Sequence, residues 1–276
     1  MSSNETSVAK VRSRDGTTIA FDRTGDGPPL IFVGGAFQQR SGQGMAQLAA
    51  LLAPRLTVYN YDRRGRGDSG DTAPYAVERE VEDLEALIAE AGGSAFVFGM
   101  SSGGVLALEA ARRLPITRLA VYDPPFMVDD SGPRPPADHQ AQLTELVSSG
   151  RPGDAAEFFM TKIIGMPTEA VAPMRGSPIW PALEQVAHTL PYDGAVMGDY
   201  SLPIERMRSV TVPTLVIAGE KTDPRLHRAA RALWAALPDV QQRTLEGQTH
   251  EWAPEVLAPA LERFFADSTV RGRVES

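Results

Sequence analysis

Apolar positions along the chain fall into two rhythms. Short, nearly unbroken runs at Leu30–Val33, Leu56–Tyr59, Ala95–Phe98, Leu119–Tyr122 and Leu215–Ala218 each end at a turn former and read as strands buried on both faces. Between them the spacing becomes helical, at about Met45–Ala53, Val77–Ala91, Ser102–Leu114 and Pro224–Leu237, with a last stretch at Pro254–Ala266. This alternation predicts the α/β class, a mostly parallel sheet with crossover helices. Val8–Arg12 and Thr18–Asp22, joined across Asp15-Gly16, read as a hairpin that opens the sheet, and Gln241–Leu245 reads as its last strand.

The rhythm breaks between Val128 and Arg208. Pro133, Pro135, Pro136, Pro167, Pro173, Pro178, Pro181, Pro191 and Pro203 separate short helical pieces there, with no convincing strand, and the strand pattern resumes at Thr211. The expected organisation is a discontinuous core, residues 8–127 and 209–276, carrying residues 128–208 as an inserted helical cap.

Composition narrows the function without naming it. The chain has 276 residues, 42% hydrophobic and 22% charged, which suits one sizeable globular core. Lys+Arg 27 against Asp+Glu 35 gives a net charge of −8 with no basic run, which argues against nucleic acid or an anionic membrane as partner. No cysteine is present, so thiol nucleophiles, disulfides and thiolate metal sites are excluded. Met1–Thr6 is polar and no long apolar run follows, so a soluble, cytoplasmic protein acting on a small molecule is expected.

The chemistry-bearing segment is Phe96–Val105, a strand, then Gly99-x-Ser101-x-Gly103, then a helix. A serine in so tight a strand-to-helix turn is held strained with its hydroxyl exposed, and the flanking glycines let neighbouring backbone pass close by. Ser101 is thus the candidate nucleophile, and the Ser102 N–H, at the start of the helix, is a candidate oxyanion donor. Reading Ser101 as a plain helix cap accounts for the serine but not for both glycines.

A serine hydroxyl needs a base. His139 and His188 fall in the proposed cap and His227 within a helix, whereas His250 follows the last strand in the loop Glu246–His250. His250 is the candidate general base.

With these residues in place the chain resembles an α/β-hydrolase-fold protein with a cap, over essentially everything beyond Val8. Tyr61–Ser69 is similar to the family's arginine- and glycine-rich turn after its fourth strand. Leu30–Ala36 resembles the turn that supplies the second oxyanion amide, with Gly34-Gly35 where the family often has His-Gly. By register that donor is the Ala36 N–H. The resemblance implies an orienting acid in one of two places. Three residues beyond Gly219 the family position falls on Thr222, with Asp223 one residue late and also suited to cap a helix before Pro224. After the sixth strand, 22 residues past the nucleophile, stands Asp123. Asp123 is favoured, with Asp223 as the alternative acid.

Two other motifs are set aside. Gly65–Gly70 matches G-x-G-x-x-G, but Asp71–Pro74 intervenes before any helix, so a dinucleotide site lacks its phosphate-binding helix start. Arg66-Gly67-Asp68 as an adhesion motif would require a secreted protein. No metal-ligand spacing stands out and no cofactor is implied. The expectation is a cofactor-free serine hydrolase acting on an ester, lactone or thioester. Phe37, Phe126, Met160, Trp180, Tyr192 and Trp252 are candidate contacts for an apolar or aromatic substrate. A C–C hydrolase or acyltransferase could use the same residues, and a ligand-binding protein with little turnover is the alternative from another class.

Overall fold

The computed structural model describes residues 8–130, 132 and 134–266; Met1–Thr6, Pro133 and the residues after Ala266 that the sequence assigned to the core lie outside them. The described strands are β1 (Ala9–Arg12), β2 (Thr18–Thr24), β3 (Pro29–Val33), β4 (Thr57–Tyr61), β5 (Ala95–Met100), β6 (Ile116–Tyr122), β7 (Thr214–Gly219) and β8 (Val240–Leu245). They form one eight-stranded sheet in the order β1-β2-β4-β3-β5-β6-β7-β8. β2 is antiparallel to both neighbours and every later pairing is parallel.

Side chains of the central strands alternate between two apolar layers, as the pleat requires. Ile31, Val33, Val97, Leu119, Val121 and Val216 join one cluster, and Leu30, Phe32, Phe98, Ala120, Tyr122 and Leu215 the other. Helices cover both faces, which is why these strands read as continuous apolar runs. α1 (Gln43–Leu52) packs with the C-terminal helix on the second face, and α2 (Val77–Glu90) and α3 (Ser102–Ala111) cover the first. All ten residues of α3 are buried, so it shows little amphipathic contrast. α2 does have a buried stripe, at Glu80, Val81, Asp83, Leu84, Leu87 and Ile88, and two carboxylates lie within it.

Between β6 and β7 the chain is helical: α4 (His139–Ser148), α5 (Pro152–Phe158), α6 (Thr168–Val171), α7 (Trp180–Val186), α8 (Leu190–Met197) and α9 (Ile204–Met207). Two of the prolines that break the sequence pattern, Pro181 and Pro191, do so by starting helices, in the first turn of α7 and α8, as Pro152 does in α5, where the missing N–H costs nothing. A π-helical turn at Phe159–Ile164 continues α5. α8 packs on α2 and α3. α10 (Pro224–Ala236) and α11 (Pro254–Ala266) complete the fold.

Candidate active site

The sheet reverses its winding at β3, with β4 on one side and β5 on the other. In an open α/β sheet the crevice beyond the carboxyl ends at such a switch point is where ligands bind. Parallel register brings the strand ends level there: Val33 beside Gly99, Met100 beside Tyr122, Tyr122 beside Ile217 and Gly219 beside Leu245. The residues that follow these ends are Gly34–Phe37, Ser101, Asp123, Thr222 and His250.

Ser101 has φ 53° and ψ −128°, a conformation that few non-glycine residues adopt. It is fixed on both sides, its N–H donating to Tyr122 O (2.9 Å) and its carbonyl accepting from Gly104 N (2.9 Å). A side chain at Gly103 would overlap the carbonyl oxygens of Val33 and Gly34, so this glycine is what lets α3 start against β3. Gly35 faces the serine: a Cβ there would stand 2.9 Å from the Ser101 Cβ. Met100, just before the serine, accepts at Sδ from Gln38 Nε2 (3.0 Å) and Trp252 Nε1 (3.2 Å), tying the β3 turn to the His250 loop.

Asp123 is fully buried at a positive φ of 45°, its N–H donating to Ile217 O (3.0 Å). Its Oδ2 accepts from Thr222 Oγ1 at 2.7 Å and lies 3.3 Å from His250 Nδ1, while Oδ1 is buried without a hydrogen-bond partner. His250 is half-buried, and its loop is held from beneath. Tyr122 Oη donates to Thr249 O, Lys221 N donates to Gln248 O (2.7 Å), and Ala253 N donates to Gln248 Oε1 (2.7 Å). Asp223, the other acid that the sequence offers, is engaged elsewhere: it caps α10 through Arg225 N (2.8 Å) and pairs with the Arg225 guanidinium (3.0 Å).

The turn after β3 rests on charges buried beneath the insert. Arg66 Nη1 donates to Gly35 O (2.6 Å) and Arg63 Nη1 to Gly34 O (3.3 Å). Arg63 makes a two-pronged pair with Glu80 (2.6 and 2.7 Å), and both arginines reach one carboxylate of α8, Asp193. Asp193 Oδ1 accepts from Arg63 (2.7 Å) and from Ser102 Oγ (2.7 Å), and Oδ2 accepts from Arg66 (2.6 Å). The two cations and two anions balance. Burial alone would raise the Asp193 carboxyl, but the Arg66 and Arg63 charges outweigh it and hold it below the usual carboxylate range. Asp193 and Glu80 have no counterpart among the sequence-derived candidates. Three arginines in four residues, Arg63, Arg64 and Arg66, were the available signal that buried carboxylates must exist.

The remaining candidates separate by environment. Phe37, next to Ala36, meets Phe159 of the insert edge-on at 5.5 Å, and Phe126 and Met160 are buried in the same apolar cluster. Trp252 packs under the site against Phe98 and Tyr122. Trp180 is held inside the insert, where Nε1 donates to Glu184 (2.9 Å) and Arg175 lies over its ring. Tyr192 stacks on Tyr75 at 3.9 Å and donates to Asp71 (2.8 Å), where the insert meets the loop between β4 and α2.

The profile of the Alpha/beta hydrolase family matches residues 30–261. The chain belongs to that family. An alpha/beta hydrolase from Sphaerobacter thermophilus is 55% identical, with a TM-score of 0.88 over 93% of this chain and all of that one. Two more distant structures share the fold of this hydrolase. An esterase from Thermogutta terrifontis is 22% identical, with TM-score 0.70 over 94% of this chain and 98% of its own. The enol-lactonase from Burkholderia xenovorans is 16% identical, with TM-score 0.71 over 94% of this chain and all of its own. No curated protein matches the chain. Among the described residues of this hydrolase no helix is long and apolar enough to cross a membrane.

Proposed function

We propose that this hydrolase cleaves a carboxylic ester, lactone or thioester through an acyl-serine intermediate on Ser101. The observation that carries the reading is the Ser101 turn, φ 53° at the mouth of the sheet's switch point, with the Asp123–His250 pair formed beside it from the loops that follow β6 and β8. An Nδ1–H donated to Asp123 leaves the His250 Nε2 lone pair to take the Ser101 proton as Oγ attacks the acyl carbon. The buried carboxylate orients the ring and stabilises the imidazolium. Negative charge on the tetrahedral oxygen falls between the Ala36 and Ser102 amides, each such donor being worth about 10²–10³ in rate. His250 then protonates the leaving oxygen or sulfur, the acyl-serine forms, and a water deprotonated by the same ring releases the acid.

The inserted helices act as a cap. Phe37, Phe159, Phe126 and Met160 would give the acyl side an apolar wall, and Trp252 would stiffen the site from beneath. Esterase and enol-lactonase activities among proteins of the same fold agree with acyl transfer to water.

Turnover of short aryl esters, an unstrained and a strained lactone, and an acyl thioester, measured on wild type and Ser101→Ala, tests the reading. The expected result is hydrolysis of at least one class by wild type and none above background by Ser101→Ala; activity retained by Ser101→Ala would overturn it.

A further inference from the structure

Asp193 sits on α8 of the insert, 92 positions from the nucleophile in sequence, yet one fully buried carboxylate joins both arms of the proposed oxyanion site. Its Oδ1 holds the hydroxyl of Ser102, whose backbone amide is one donor. Through Arg63 and Arg66 it governs the other arm, because those guanidiniums hold the carbonyls of Gly34 and Gly35, the two residues before the Ala36 amide. Arg66 also donates to Gln38 O (3.3 Å), closing the same turn, and to Thr189 Oγ1 (3.0 Å) of the insert. A carbonyl and the N–H of the following residue lie in one planar peptide, so gripping the carbonyl fixes the direction of that N–H. For Gly35 that N–H belongs to Ala36.

We infer that Asp193 is a positioning residue for catalysis: the insert completes the oxyanion site by aiming the Ser102 and Ala36 amides. The inference rests on the acyl-serine reading. It differs from a plain insert-to-core strap in what it demands of kinetics. An oxyanion donor acts on the transition state, so its misalignment lowers kcat and leaves KM nearly unchanged. A strap alone would lower thermal stability, or loosen substrate binding, with kcat preserved.

The substitution Asp193→Asn removes the charge, keeps an acceptor for Ser102, and points an amide N–H₂ at a guanidinium that can only donate. Arg66 must then turn away and release Gly35. Ser102→Ala cuts the second link while leaving every charge paired, so it decides the matter if Asp193→Asn does not fold.

The experiment measures kcat and KM on p-nitrophenyl acetate, with thermal unfolding, for wild type, Asp193→Asn, Ser102→Ala and Ser101→Ala. The expected result is a kcat lower by about tenfold to a hundredfold in Asp193→Asn and about threefold to tenfold in Ser102→Ala, with KM within about threefold. Values of kcat within about twofold of wild type in the variants that fold, or a rise in KM alone, would overturn the inference and leave Asp193 a strap. Turnover surviving in Ser101→Ala would instead overturn the acyl-serine reading.

Discussion

Thr222 donates its hydroxyl hydrogen to Oδ2 of Asp123 at 2.7 Å, across the carboxyl ends of two adjacent parallel strands. The threonine occupies the place, three residues beyond Gly219, where family resemblance would put an acid, and it bonds instead to a carboxylate that comes from the neighbouring strand. The same oxygen faces His250 Nδ1, so hydroxyl and imidazole share one acceptor.

Exchange of the two aspartates separates orientation from capping. Asp123→Asn is expected to lower kcat by about 10³–10⁴, because an amide presents the ring with the wrong partner. Asp223→Asn removes the charge that pairs with Arg225 and alters the cap of α10, a change of about 1 kcal/mol or less in stability with kcat near wild type. Steady-state kinetics and urea midpoints on both variants check this, and exchanged phenotypes would make Asp223 the acid.

Thr222→Val keeps the shape and deletes the hydroxyl. A hydrogen bond to a charged acceptor contributes about 1.5–3 kcal/mol, so the variant should lose stability of that order, or kcat by about tenfold, with KM held. Unchanged kcat and unchanged unfolding would show that Thr222 does not support Asp123.

Stability should depend on pH in opposite senses through two carboxylates that share Arg64. Burial works to raise Asp15, but hydrogen bonds from Thr17 and Arg64 outweigh it and hold its pKa at about 2. Its stabilisation is therefore complete above the unfolded value near 4 and is lost as pH falls through about 2. Asp83 is buried on α2, and burial outweighs Arg64 and lifts it to about 6. Its contribution is fully present below about 4 and is lost as pH rises through about 6. Urea midpoints from pH 2 to 8 should show a shallower acid decline in Asp15→Asn and no loss between pH 4 and 6 in Asp83→Asn, relative to wild type.

Gly103→Ala adds one methyl against the Val33 and Gly34 carbonyls, which belong to the strand and turn that face the serine. Backbone must move, so a loss of about 3 kcal/mol or more is expected, together with a fall in activity in whatever protein folds. An unfolding midpoint equal to that of wild type would contradict the close approach.

Much of this was readable before the fold. Strands β3 to β7 follow from apolar runs because both of their faces are covered, and the bounds drift by one to three residues where turns are ambiguous. The tight turn at Ser101 was legible through two glycines with a steric purpose, and the loop that carries His250 through its place after the last strand. The buried ion cluster was not. Glu80 and Asp83 fall on the inward stripe of α2, where periodicity assigns apolar residues, and Asp193 is 130 residues from Arg63 in a proline-broken segment. Charge balance demands such partners but spacing cannot locate them. Trp180 illustrates the complementary gap: an aromatic in an insert has the same pattern whether it faces a substrate or, as here, Glu184 and Arg175 of its own helices.

The central claim is that Ser101 is an activated nucleophile, and intact mass after incubation with a fluorophosphonate, on wild type and Ser101→Ala side by side, tests it most directly. The account predicts one phosphonyl adduct on wild type and none on the variant. A folded wild type that gains no adduct, or an equal adduct on both proteins, would contradict it.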